Sequence, residues 1–106
     1  MVIKGVLKEE LRNSLRMKKR YEDELAKLPK GSLIKKKIKG HEYYYLLLRE
    51  EGKVRFVYKG KEVPLNIIKK YREAKKIRAK YRNLLSHVKK EIKFLERALK
   101  SGKKTG

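Results

Sequence analysis

The chain of 106 residues has no cysteine, no glutamine, one aspartate (Asp23), two histidines (His41 and His87) and two prolines (Pro29 and Pro64). Without cysteine there is no disulfide framework and no thiolate metal site, which suits a reducing cytosol. One aspartate, two separated histidines, no glycine-rich phosphate loop and no nucleophile motif give little with which to build a catalytic centre, so no enzyme activity, metal, cofactor or small-molecule substrate is expected. His87 neighbours an apolar helix stripe and reads as a flanking residue. No stretch of eighteen consecutive apolar residues is present to span a bilayer, and Met1 to Val6 falls short of a signal peptide, so a cytoplasmic protein is expected. Absent glutamine, scarce asparagine and abundant lysine and glutamate are the bias of hyperthermophile proteins. That bias raises both signs of charge together, whereas here only one rises.

What the chain does have is positive charge, a formal +21 from 33 Lys and Arg against 12 Asp and Glu. Nine basic and five acidic groups fall in residues 1–31, nine and four in 32–64, and fifteen and three in 65–106, so the excess covers the whole chain and is densest at the end. Charge of this size makes a compact state repel itself and fits a polyanionic partner, nucleic acid first among them. A length of 106 residues implies one domain (1–106), near the lower range at which a single core suffices.

Proline and glycine divide the chain into three parts. Leu7, Leu11, Ser14, Lys18, Tyr21, Leu25 and Leu28 repeat at steps of four and three, with Leu15 beside them, and predict an amphipathic helix over 6–28. Leu28-Pro29-Lys30-Gly31-Ser32 ends it. After Val63-Pro64, a stronger stripe runs through Ile67, Tyr71, Ala74, Arg78, Tyr81, Leu85, Val88, Ile92, Leu95 and Leu99, broken only by Arg78. It predicts a helix over 65–100 with a frayed tail at 101–106. The fold class is therefore α+β: helix, three-stranded antiparallel β-meander, long C-terminal helix, with the two helices paired as a coiled-coil-like helical hairpin. The second stripe is longer by about three turns, and that surplus implies a homodimer through the C-terminal seam.

Between the helices, residues 33–39, 42–50 and 53–59 are rich in β-branched and aromatic side chains and predict three strands. Two-residue loops at Gly40-His41 and Glu51-Gly52 would pair Ile38 with Tyr43, Ile34 with Leu47, Leu47 with Phe56 and Tyr45 with Tyr58. One face then collects Ile34, Ile38, Tyr43, Tyr45, Leu47, Val54, Phe56 and Tyr58, with Lys36 out of place, and is expected to pack on the helices. The other carries Lys35, Lys37, Tyr44, Leu46, Leu48, Arg55, Val57 and Lys59. On it, Tyr44 between Lys37 and Lys59 suits base stacking in a single strand, and the basic ribbon suits a duplex groove or backbone. Alternatively, Leu46, Leu48 and Val57 are covered by a second copy or by the surplus length of the last helix, and the lysines form a solvated rim.

The last helix adds a cationic surface along a seam of about 50 Å. The residues expected to hold nucleic acid are Lys35, Lys37, Lys39, Tyr44, Arg55, Lys59 and Lys61 around the sheet, with Lys69, Lys76, Arg82, Lys89, Lys90 and Lys93 on the helix. Such contacts release counterions and give affinity with little sequence choice. A solvated helix face is the plain alternative for the helix cations, and an anionic membrane suits them poorly because they spread round the circumference. The acidic group Glu9, Glu10, Glu22, Asp23 and Glu24 is expected to form local ion pairs. The favoured function is a non-enzymatic, weakly sequence-specific nucleic-acid-binding protein for DNA or RNA. The competing one is a protein interaction and dimerisation module that docks an acidic partner on the exposed seam and the Leu46, Leu48 and Val57 island.

The segment Lys37-Ile38-Lys39-Gly40-His41-Glu42-Tyr43-Tyr44-Tyr45-Leu46, followed by Gly52-Lys53-Val54-Arg55-Phe56-Val57-Tyr58-Lys59-Gly60-Lys61, resembles a Tyr-rich meander of small prokaryotic and archaeal proteins. The same pattern occurs near the N-termini of some transposases and Fic-type proteins. The resemblance covers roughly residues 31–62 and brings no catalytic residues with it. Likeness to the transposases implies a sheet that holds DNA, hence DNA over RNA and an accessory or mobile-element protein.

Overall fold

The computed structural model describes residues 2–105, with side chains described from Ile3 to Ser101. The elements in order are α1 (Val2–Ala26), β1 (Ser32–Ile38), β2 (His41–Glu50), β3 (Lys53–Gly60) and α2 (Leu65–Thr105). This is the α+β arrangement of helix, antiparallel meander and long helix. Helix α1 ends at Ala26 rather than Leu28, because Pro29 disfavours helical geometry in the residue before it. Helix α2 continues to Thr105, through the stretch expected to fray, with no proline after Leu99 to stop it, and Gly106 lies outside the described residues. At its start the Pro64 carbonyl accepts hydrogen bonds from the amides of Ile67 (3.0 Å) and Ile68 (3.2 Å), so proline sits just ahead of the first turn, where its missing N–H costs nothing. Among the described residues no helix is long and apolar enough to cross a membrane.

The chain divides into two compact units that share α2. In the first, α1 packs on α2 from Ala79 onward. The predicted stripes are the faces that meet: Leu7, Leu11, Tyr21 and Leu25 are half-buried on α1, while Val88, Ile92 and Leu95 are buried on α2. Tyr21, near the end of α1, lies 5.9 Å from Tyr81, centroid to centroid. With that contact, parallel helices would leave Val88, Ile92 and Leu95 beyond the reach of α1, so the hairpin is antiparallel. Ser14, which looked like an interruption of the stripe, is only 2% exposed. Its small side chain lets the backbones approach, and no buried side-chain nitrogen or oxygen among the described residues lacks a hydrogen-bond partner.

The second unit runs from Leu28 to Arg78 and holds the sheet and the first turns of α2. Its strands lie in the order β1-β2-β3, all antiparallel. The β2–β3 register is the one the sequence predicts, with Leu47 opposite Phe56 and Tyr45 opposite Tyr58. The β1–β2 register differs. Ile38 pairs with His41 and Ile34 with Tyr45, so the loop is Lys39-Gly40 rather than Gly40-His41. Both hairpin loops have positive φ at both residues, 50° and 79° at Lys39 and Gly40, and 51° and 76° at Glu51 and Gly52. That is the type I′ geometry, which favours glycine second, and a Gly40-His41 loop would have put histidine there. The shift moves each partner by two residues, an even number, so every side chain keeps its face.

The packed face is the reverse of the one expected. Leu46 is buried at 8% exposure, whereas Ile38 (44%), Val54 (53%), Phe56 (49%) and Tyr58 (56%) lie open. Leu33 and Leu46 line a cavity of about 250 Å³ together with Val63, Pro64, Ile67 and Tyr71, so the Leu46 side of the sheet packs on the start of α2. The physical reason is parity: Leu33 joins Leu46 on that face by register, and the two aliphatic side chains line the cavity with Ile67 and Tyr71. Gly31 sits beneath the same face, where an added Cβ would stand 2.7 Å from Leu48 Cδ2. The start of the α2 seam, at Ile67 and Tyr71, thus faces the chain's own sheet. Arg78, the break in the stripe, is half-buried and donates to the Pro29 carbonyl at 2.7 Å.

Candidate nucleic-acid interface

The open face of the sheet is built by alternation along three strands. β2 contributes Tyr43, Tyr45 and Leu47, β3 contributes Val54, Phe56 and Tyr58, and β1 contributes Ile34, Lys36 and Ile38. The rings form one connected row. Tyr45 and Tyr58 centroids are 5.5 Å apart and Tyr58 and Tyr43 are 6.1 Å apart, the planes tilted by 58° and 54°. His41 joins at 6.4 Å from Tyr43. At one end Lys36 Nζ stands 4.0 Å over the Phe56 ring and 5.5 Å over Tyr45. At the other, Lys61 Nζ stands 5.7 Å over Tyr43. These are cation–π contacts, and in each the lysine stem also shields part of a ring from water.

Lys61 reaches this face because of an irregularity. Tyr45 pairs with Tyr58 while Tyr44 pairs with Gly60, so β3 carries one extra residue, Lys59, at a bulge. In strict alternation Lys61 would fall on the side of Arg55, Val57 and Lys59. The extra residue reverses the parity beyond it and aims Lys61 at Tyr43. Gly60, at φ 110°, takes the conformation that the bulge requires.

The structure places the sequence-predicted residues as follows. Lys35, Lys37, Tyr44, Arg55 and Lys59 gather on the packed side, around the buried Leu46, and form a rim there rather than an open binding face. Two of them are already engaged: Lys35 Nζ lies 3.0 Å from Glu42, and Arg55 lies 3.4 Å from Glu50. The hydrogen bond and charge of Glu42, with a smaller contribution from Tyr44, raise the Lys35 pKa above its ordinary value. Tyr44, expected to stack bases, is half-buried and has Lys35 over its ring at 5.5 Å. Lys39 occupies the first turn. Lys69 and Lys76 on the early part of α2, and Arg82, Lys89, Lys90 and Lys93 on the later part, are all exposed. Of the acidic group on α1, Glu24 pairs with Lys27 at 3.1 Å. Sequence reasoning missed Lys36, Tyr43, Tyr45, Phe56 and Tyr58 as site residues. The signal was present, since three consecutive tyrosines in a strand put the outer two on one side, and Lys36 stood among apolar residues that were assigned to a core.

Among the described residues no cluster of His, Asp and Glu is arranged to hold a metal ion. The geometry is that of a surface: an aromatic row with cations at both ends, and a helix of 41 residues, about 60 Å long, bearing exposed lysines and arginines. It defines a basic α+β protein with an open aromatic sheet. Residues 7–67 match the family model described as Domain of unknown function (DUF6788), which is more than half of the chain, and the chain belongs to that family. The matched span takes in the aromatic row, while most of α2 lies beyond it. No curated protein and no solved structure matches the chain.

Proposed function

We propose that this protein is a non-enzymatic nucleic-acid-binding protein whose affinity is led by the phosphate backbone and carries little sequence choice. The supporting observation is the uncompensated charge of α2. Among the described residues, the cations with a carboxylate within 4.0 Å are Lys27, Lys35 and Arg55, and none of them belongs to α2. Fifteen lysines and arginines against three glutamates along so long a helix favour a dense anion that brings many charges at once. The resemblance of the meander to transposase N-termini favours DNA over RNA and an accessory role near mobile DNA. The competing reading, a module that docks an acidic protein, has less support from the island of Leu46, Leu48 and Val57, because Leu46 is buried and the island lies on the packed side.

Fluorescence anisotropy with labelled duplex DNA, single-stranded DNA and RNA over a salt series tests the proposal, with oligomeric state followed in the same buffers. The expected result is a linear fall of log affinity with log salt, with binding retained at physiological ionic strength. Exchanging Lys89, Lys90 and Lys93 for Glu lowers affinity for every sequence alike and flattens the slope. Binding that disappears near physiological salt, with no preference among the three polymers, would sink the proposal.

A further inference from the structure

We infer that the open face of the sheet is a stacking platform for unpaired bases, so that this face takes single-stranded rather than double-stranded nucleic acid. The inference rests on the nucleic-acid reading above and names the form of the polymer.

The argument starts from what an unpaired strand offers: flat π-faces alternating with phosphates. The row Tyr45, Tyr58, Tyr43 offers the complement, ring surface with a lysine at each end. Tyr58 is 56% exposed and Phe56 49%, which is unusual for large rings in the middle of a strand and leaves surface on which a base can lie. The rings are tilted to one another rather than stacked on themselves, so they do not consume each other's faces. A row of this length serves roughly two or three bases. The charges on this face are of one sign. By register Lys36, Arg49 and Lys61 share it with His41, while Glu42 and Glu50 fall on the other side.

A duplex meets this face differently. Its bases are stacked on one another and only backbone and groove edges are presented, so the rings gain nothing and the lysines alone contribute. An aliphatic protein surface also fits poorly, because the tyrosine hydroxyls and the lysine ammonium groups over the rings would be stripped of water without partners. The bulge at Lys59 belongs to the same design, since it turns Lys61 from the packed side to the end of the ring row.

The test compares Tyr58→Leu, which keeps an apolar side chain and removes the ring, with Tyr58→Phe, which keeps the ring. Affinities are measured for oligo-dT, oligo-U of equal length and a DNA duplex at one salt concentration, and circular dichroism confirms that each variant is folded. Loss of one stacked base corresponds to roughly 5- to 150-fold weaker binding. Tyr58→Leu is expected to weaken oligo-dT, oligo-U or both by at least fivefold at the lower limit of that range, roughly speaking, and to leave duplex affinity unchanged, while Tyr58→Phe binds as the parent does. Whichever single strand responds more identifies DNA or RNA as the source of the bases. The chain has no tryptophan, so tyrosine fluorescence of the unmodified protein gives a second reading: quenching by oligo-dT or oligo-U and none by duplex. Equal losses for all three polymers, or none for any, with the parent still binding, would overturn the platform and leave backbone-led binding standing. A parent protein that binds no polymer removes the nucleic-acid reading itself, and the platform with it.

Discussion

The two faces of the sheet carry large apolar side chains in similar measure and differ in kind. The packed face carries the aliphatic Leu33, Leu46, Leu48 and Val57, and Leu33 and Leu46 meet α2 at Ile67 and Tyr71. The open face holds Tyr43, Tyr45, Phe56 and Tyr58 under Lys36 and Lys61. Branched aliphatic side chains have no polar atom and gain most from full burial, while a tyrosine ring has a hydroxyl to keep wet and a π-face that accepts a cation. Both faces are rich in apolar groups, so hydrophobicity alone does not tell which of them packs; the open one is where most of the aromatic rings stand, beside Ile34, Ile38, Leu47 and Val54.

The largest expected effect comes from breaking the aliphatic side. Leu46→Ala should cost about 2–4 kcal/mol and lower Tm by roughly 10 °C or more in a thermal melt, since the side chain is buried and leaves a cavity. Gly31→Ala strikes the same face from below. Its Cβ would meet Leu48 Cδ2 at 2.7 Å and the Leu47 carbonyl at 2.8 Å, at φ 89°, and a loss of about 2 kcal/mol is expected. Gly52→Ala, with φ 76° and open space around it, serves as the control that carries backbone strain alone. On the aromatic side Phe56→Ala should cost only about 1 kcal/mol, because a side chain that is half exposed forfeits half the burial. A Phe56→Ala melt as damaging as that of Leu46→Ala would erase the distinction between the faces.

The smallest effect concerns the rim. Glu42 raises the Lys35 pKa, so the pair's contribution is fully present below the ordinary lysine pKa and is lost as pH rises through the elevated folded value. Glu42→Gln should return the Lys35 titration, followed by NMR at its side-chain methylene, toward the ordinary value, with no visible change in the melt at neutral pH. An unchanged titration would show that Glu42 does not hold Lys35.

Much of this architecture was legible in the residue pattern. The four-and-three stripes located both helices and the surfaces by which they meet, because each helix buries one stripe, α2 meeting the sheet at its start and α1 from Ala79 onward. The β2–β3 register followed from a turn with glycine second. The β1–β2 register slipped by two because Gly40 was placed first in its loop instead of second, and the parity survived the slip. The facing of the sheet was only half legible, for a physical reason. Period-two alternation separates two faces but ranks them only by apolar content, and here both are apolar, so the favoured reading packed the wrong one while the alternative, Leu46 covered by the surplus length of the last helix, is the arrangement found. Leu33 belongs to the packed face and tips the balance toward it. The candidate site follows that inversion: Tyr44 lies on the packed side, while the half-buried Tyr43 and Tyr45 and the exposed Tyr58 lie on the open one.

The order β1-β2-β3 leaves two strand edges unpaired, and beside them lies a broad apolar face, a combination that invites sheets to join edge to edge. Strand β1 carries Lys35, Lys36 and Lys37 in succession at one such edge. A second β1 approaching in antiparallel fashion would set lysine against lysine along the new ladder, so self-templated growth is resisted by these cations. Neutralising them, by acetylation or by substitution, would expose the sheet to its own copies and turn a solubility device into an aggregation edge.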